Sequence, residues 1–111
     1  MQNHEQAVRQ CAWLADAGLE LVWLALEEWA GAAGKIPEGT WFTALKVDDT
    51  EVQVRAEDPA DADMSNGGPI KLTARAGNGD ILQIRSIVLD WSADATQLIE
   101  RPGSRRREVL P

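Results

Sequence analysis

Hydrophobic residues in the first third of the chain recur at helical spacing. With Val8 as the origin of a wheel turning about 100° per residue, Val8, Ala12, Ala15, Leu19, Val22, Leu26, Trp29 and Ala33 fall within about 60° of one line. The spacing predicts an amphipathic helix with a core-facing stripe. The alternating steps of four and three resemble a coiled-coil seam, but alanine fills three of the eight positions and leaves few bulky side chains to interlock. A helix running unbroken from Glu5 to Ala33 would be about 43 Å long, against a radius of gyration near 13 Å for a compact chain of this size. An interruption is therefore expected around Asp16, Ala17 and Gly18, or else an end near Ala30 with Gly31 to Gly34 terminating the helix. Ile36-Pro37-Glu38-Gly39 then reads as a turn.

From Thr40 the period changes to two. Trp41, Thr43, Leu45 and Val47 alternate with Phe42, Ala44 and Lys46. After Asp48, Asp49 and Thr50 the alternation resumes, with Val52, Val54 and Ala56 against Glu51, Gln53 and Arg55. This is a hairpin. Residues 57–69 are rich in Asp, Pro, Gly, Ser and Asn and read as a long polar loop. A second hairpin pairs Ile70, Leu72, Ala74 and Ala76 with 81–91 through Gly77-Asn78-Gly79-Asp80, where Asn-Gly is a strong hairpin signal. Ser92 is placed to cap a short helix or turn over Ala93 to Ile99, ahead of Pro102 and Gly103. The fold expected is α+β: an N-terminal helical segment on a four-stranded antiparallel meander, with a short C-terminal turn or helix and a mobile basic tail. Residues 1–100 form the single domain and 101–111 the tail. In element order this resembles cystatin-like folds.

At 111 residues the chain holds one small core, with 44% apolar and 26% charged residues. No apolar run approaches the roughly 18 to 20 residues of a membrane span, so no membrane contact is expected. A single cysteine, Cys11, and no secretory signal point to a cytoplasmic setting. Cys11 falls on the apolar side of the helix, where a cysteine is a small inert hydrophobe. His4 is the only histidine, and neither a zinc set nor a Ser-His-Asp or Cys-His arrangement can be assembled in the usual way. In the 57–69 loop, Asp61, Asp63 and Ser65 match three positions of a calcium loop. Asn66 stands where the sharp-turn glycine belongs, and Leu72 where the bidentate glutamate belongs. No cofactor, no metal and no enzymatic activity are expected.

Charge is more informative. The net charge is −7, but Arg101, Arg105, Arg106 and Arg107 against Glu108 give 101–111 a local +3, leaving 7 basic and 17 acidic residues in 1–100, a net −10. An acidic body repels phosphate backbones and attracts basic partners, so direct nucleic-acid binding by the body is not expected. On the helical wheel Asp16, Glu20 and Glu27 share one face with only Arg9 to oppose them, and Trp13 and Leu24 lie at its edge, away from the apolar stripe. Trp23, Trp29, Trp41 and Trp91 read as core-packing residues. Trp13, Asp16, Glu20, Leu24 and Glu27 are the candidate binding residues for a basic protein partner. Small acidic proteins that occupy a basic groove, such as immunity, anti-restriction and phage-encoded anti-CRISPR proteins, compete with nucleic acid there; the chain resembles them in size and charge. The alternative is an oligomerising phage or assembly component that uses the apolar stripe and its strand edges.

Overall fold

The computed structural model describes residues 4–28, 39–57, 69–78, 81–93 and 97–108. One helix, α1 (His4–Glu28), precedes six strands: β1 (Phe42–Val47), β2 (Thr50–Glu57), β3 (Ile70–Asn78), β4 (Ile81–Trp91), β5 (Leu98–Glu100) and β6 (Arg106–Glu108). All pairings are antiparallel, and the order is β1-β2-β3-β4-β5, with β6 also paired to β4. The expected α+β arrangement, a helix laid on an antiparallel meander, is observed. Residues 58–68 of the polar loop expected at 57–69, and the segment 29–38 with Trp29, lie outside the described residues.

The helix does not break at Gly18. It continues for 25 residues, about 37 Å, through Asp16-Ala17-Gly18. Gly18 instead marks a close approach of α1 to the sheet: a Cβ there would lie 2.5 Å from Val52 Cγ1 and 3.5 Å from Val54 Cγ2. A missing side chain lets the two backbones approach, and that gain outweighs the helix-propensity cost of glycine. The buried line of the helix follows this contact. Ala7, Cys11, Leu14, Ala15, Leu19, Val22 and Leu26 are buried, whereas Val8 and Ala12 are only half-buried. The core line is therefore rotated by about 50° from the Val8 origin, toward Gly18.

The opposing face of the sheet supplies Val52, Val54 and Ala56 from β2, Ile70, Leu72, Ala74 and Ala76 from β3, Ile87 and Leu89 from β4, and Leu98 from β5. Trp23, Phe42 and Trp91 pack at the edge of this cluster. The β1–β2 connection is Asp48-Asp49, with Asp48 at φ 52°, a left-handed conformation that aspartate tolerates better than most residues. The Asn78↔Ile81 pairing confirms the second hairpin.

Six strands replace the expected four because the segment after Trp91 doubles back twice along one edge of β4. β5 pairs with Leu89 to Trp91, and β6 pairs with Ile84 to Ser86. A four-stranded meander would leave the 11-residue β4 with a long bare edge; two three-residue strands cover most of it. Of the short helix or turn expected over 93–99, residues 94–96 lie outside the described residues, Ala93 lies in a turn, and Leu98–Glu100 form β5, with Ser92 bonded to Gln97. The Ser92 hydroxyl accepts the Gln97 N–H (3.1 Å) and its own N–H donates to the Gln97 carbonyl (2.8 Å), closing a loop that leads into β5. Between β5 and β6, Arg101-Pro102-Gly103-Ser104 forms a tight turn closed by Ser104 N–H to the Arg101 carbonyl (3.0 Å), with Gly103 at φ 75°. Ser104 Oγ accepts the Val88 N–H (3.1 Å) and donates to the Val88 carbonyl (3.2 Å), pinning this turn to β4. The basic segment is thus held on the sheet as far as Glu108, where a mobile tail was expected.

Candidate functional site

The solvent side of α1 carries a second apolar line. Trp13, Leu21 and Leu24 are 70%, 45% and 58% exposed, and with Ala17 they span about 140 to 220° on the wheel, opposite the buried stripe. The C-terminal segment does not cover them: Leu98 turns into the core and Ile99 is itself exposed. A tryptophan and two leucines on one helix face, with nothing among the described residues burying them, form an exposed apolar ridge about 16 Å long.

The three acidic candidates have separate fates. Glu20 is exposed beside the ridge, and Asp16 is half-buried beside it. Both face Arg105, whose Nη1 lies 3.5 Å from Asp16 Oδ1 and whose Nη2 lies 3.5 Å from Glu20 Oε1 and 2.8 Å from Glu100 Oε1. The hydrogen bond to Glu100, followed by the charges of Glu100, Asp16 and Glu20, raises the Arg105 pKa further above its ordinary value. The acidic face therefore has an internal counter-charge from the basic segment, besides Arg9, which pairs with Glu5 at 2.6 Å. Glu27 serves the fold. Its Oε1 accepts the Trp23 indole N–H (2.9 Å) and the backbone N–H of Leu98 (3.1 Å), while the same indole N–H reaches the Leu98 carbonyl at 3.0 Å. Glu27 thus ties the first residue of β5 to the helix. The structure brings Trp13, Asp16, Glu20 and Leu24 together on one surface and assigns Glu27 to strand anchoring.

Cys11 is buried, and desolvation pushes its thiol pKa up, away from thiolate chemistry. Among the described residues, no three His, Cys, Asp or Glu side chains converge on a possible metal position. Asp58, Asp61 and Asp63 lie outside the described residues. No described helix is long and apolar enough to cross a membrane.

The opposite face of the sheet holds what the sequence reading missed. Trp41 belongs there instead of in the core: the Arg75 and Arg55 guanidinium carbons stand 4.0 and 4.8 Å from its ring centroid. The strand registers place Arg55, Thr73, Ser86 and Arg106 in one row across β2, β3, β4 and β6. Lys71 and Arg75 flank Thr73 on the same face. The signal was present in the alternation, since Arg55, Lys71, Thr73 and Arg75 all fall at positions opposite to the apolar ones. It was hidden by summing charge along the chain, which cannot show that cations from three strands share a side.

No protein-family model matches the chain, nor does any curated protein or any solved structure.

Proposed function

We propose that this chain is a small, non-enzymatic binding protein that docks through the outer face of α1 onto a basic partner protein. The observation that carries the reading is the exposed Trp13–Leu21–Leu24 ridge bordered by Asp16 and Glu20. Large apolar side chains supply the contact that excludes water, and flanking carboxylates supply the complementarity that selects a cationic surface. The net charge of −7 steers the encounter in the same sense. A partner whose basic groove normally holds nucleic acid would be inhibited by such a surface, because carboxylates would stand where phosphates bind.

The test compares the wild-type chain with the Trp13→Ser/Leu24→Ser variant, both immobilised in host extract. The reading predicts one basic protein held at low salt by the wild type, released at high salt, absent from the variant, and forming a defined complex when purified. Equal retention by both chains overturns it. Light scattering that shows a wild-type homo-oligomer broken by the same two substitutions also overturns it, in favour of the assembly reading.

A further inference from the structure

On the far side of the sheet from α1, the turn between β5 and β6 overhangs β3 and β4 and encloses a pocket of about 350 Å³. Its walls bring together Lys71 from β3, Arg101 and Ser104 from the turn, Arg106 from β6, and Ser86 and Val88 from β4. Three cations from three separate segments meet here in a chain that carries 18 acidic residues against 11 basic ones. We propose that this pocket binds the phosphate group of a small soluble molecule.

The chemistry supports a polyanion. Asp90 takes two hydrogen bonds from Arg101, from Nε at 2.9 Å and from Nη2 at 2.7 Å. That bidentate pair fixes the plane of the guanidinium and leaves Nη1 unused by Asp90. Arg106 is exposed at the pocket and makes no ion pair among the described residues. Ser86 forms the floor at 1% exposure, and directly across the ladder stands Thr73, 2% exposed, whose Oγ1 is buried with no hydrogen-bond partner among the described residues. Two guanidiniums and an ammonium match a tetrahedral phosphate better than a single carboxylate. The volume lies near the lower end of small-ligand pockets, roughly 300 to 1,000 Å³, with room for a phosphate and a compact organic group. This site is separate from the α1 surface, so either assignment stands or falls alone.

The experiment is an amide chemical-shift titration of the full chain with inorganic phosphate and, separately, pyrophosphate, ionic strength being held constant with chloride. The expected result is saturable shifts confined to residues around 71, 86 and 101–106. Lys71→Gln and Arg106→Gln should each weaken binding by about tenfold, as loss of one charge-assisted contact implies. Arg107→Gln should leave binding unchanged, because Arg107 pairs in register with Arg85 and points to the opposite face. Because Arg106→Gln can also loosen β6, Lys71→Gln, in the middle of the sheet, supplies the independent reading. Non-saturating shifts overturn the proposal, as does equal weakening by Arg107→Gln, since both indicate diffuse attraction to exposed arginines.

Discussion

Replacing Gly18 by alanine sets two effects against each other. In a solvent-facing helix position the change stabilises by about 1 kcal/mol, because glycine is the poorest helix former apart from proline. Here the new methyl would stand 2.5 Å from Val52 Cγ1, about an ångström inside ordinary contact. Val52 cannot yield easily. It is fully buried, β-branched and therefore stiff at χ1, and held between Leu45 and Ala76 by the strand registers. Overpacking of this kind costs about 1 to 3 kcal/mol, so the net effect should be a loss of about 1 kcal/mol, or roughly 4 °C in Tm for a chain of this length. Urea unfolding followed by tryptophan fluorescence and helical circular dichroism would measure it. The Gly18→Ala/Val52→Ala double variant supplies the control. Removing the Val52 methyls makes room for the new one, so the two substitutions should couple favourably by at least about 1 kcal/mol. A single Gly18→Ala variant that is more stable than wild type, with no coupling to Val52, would refute the close approach of helix and sheet.

Four further outcomes follow from the same geometry. Glu27→Ala strands the Leu98 N–H and the Trp23 indole, and should cost about 1 to 3 kcal/mol, whereas Glu27→Gln keeps an acceptor and should cost less; equal losses in denaturant titrations would contradict the anchoring role. Arg105→Gln should reduce stability by no more than about 1 kcal/mol, since its ion pairs are partly exposed, yet strengthen binding to a basic partner by baring Asp16 and Glu20; unchanged affinity and salt dependence would count against the acidic docking face. The hydrogen bonds from Arg101 hold the Asp90 carboxyl below its ordinary pKa, so its stabilisation is present above the unfolded pKa and fades as pH falls through the folded one. Asp90→Asn should therefore lower the urea midpoint modestly at about pH 7 and not at about pH 2; an equal loss at both would show that charge is not the cause. Cys11 should resist a thiol reagent in the native state and react once the chain unfolds; rapid native labelling would mean that the helix lifts from the sheet.

The helix-then-meander order was legible because hydrophobic periodicity reports which elements bury a face. Both hairpins were legible because Asp48-Asp49 and Asn78-Gly79 are turn residues between alternating runs. What periodicity does not carry is depth. Gly18 looks like a helix breaker on propensity alone, and only the presence of Val52 above it turns the same residue into the contact point. The short strands β5 and β6 contain three residues each, too few for any alternation to show, and one of them is the arginine run that charge alone marks as solvated. For the site, Trp13, Asp16, Glu20 and Leu24 were placed correctly on one surface by the wheel. Glu27 was separated from them by a hydrogen bond to a residue 71 positions away, which no local pattern encodes.

The doubling of the chain along β4 also sets an order of opening. Its two ladders are not equally secured: β5 is fastened by buried Leu98 and by Glu27, whereas Arg106 and Arg107 of β6 are exposed and their fastenings are the partly exposed Arg105 ion pairs and the Ser104 staple at Val88. Local fluctuations start where few apolar contacts oppose them, so β6 peels first while β5 stays latched. Each such excursion unmasks the backbone of Ile84 to Ser86. The fold therefore breathes at a fixed port, and exchange of the amide hydrogens that β6 shields should outpace exchange of those that β5 shields.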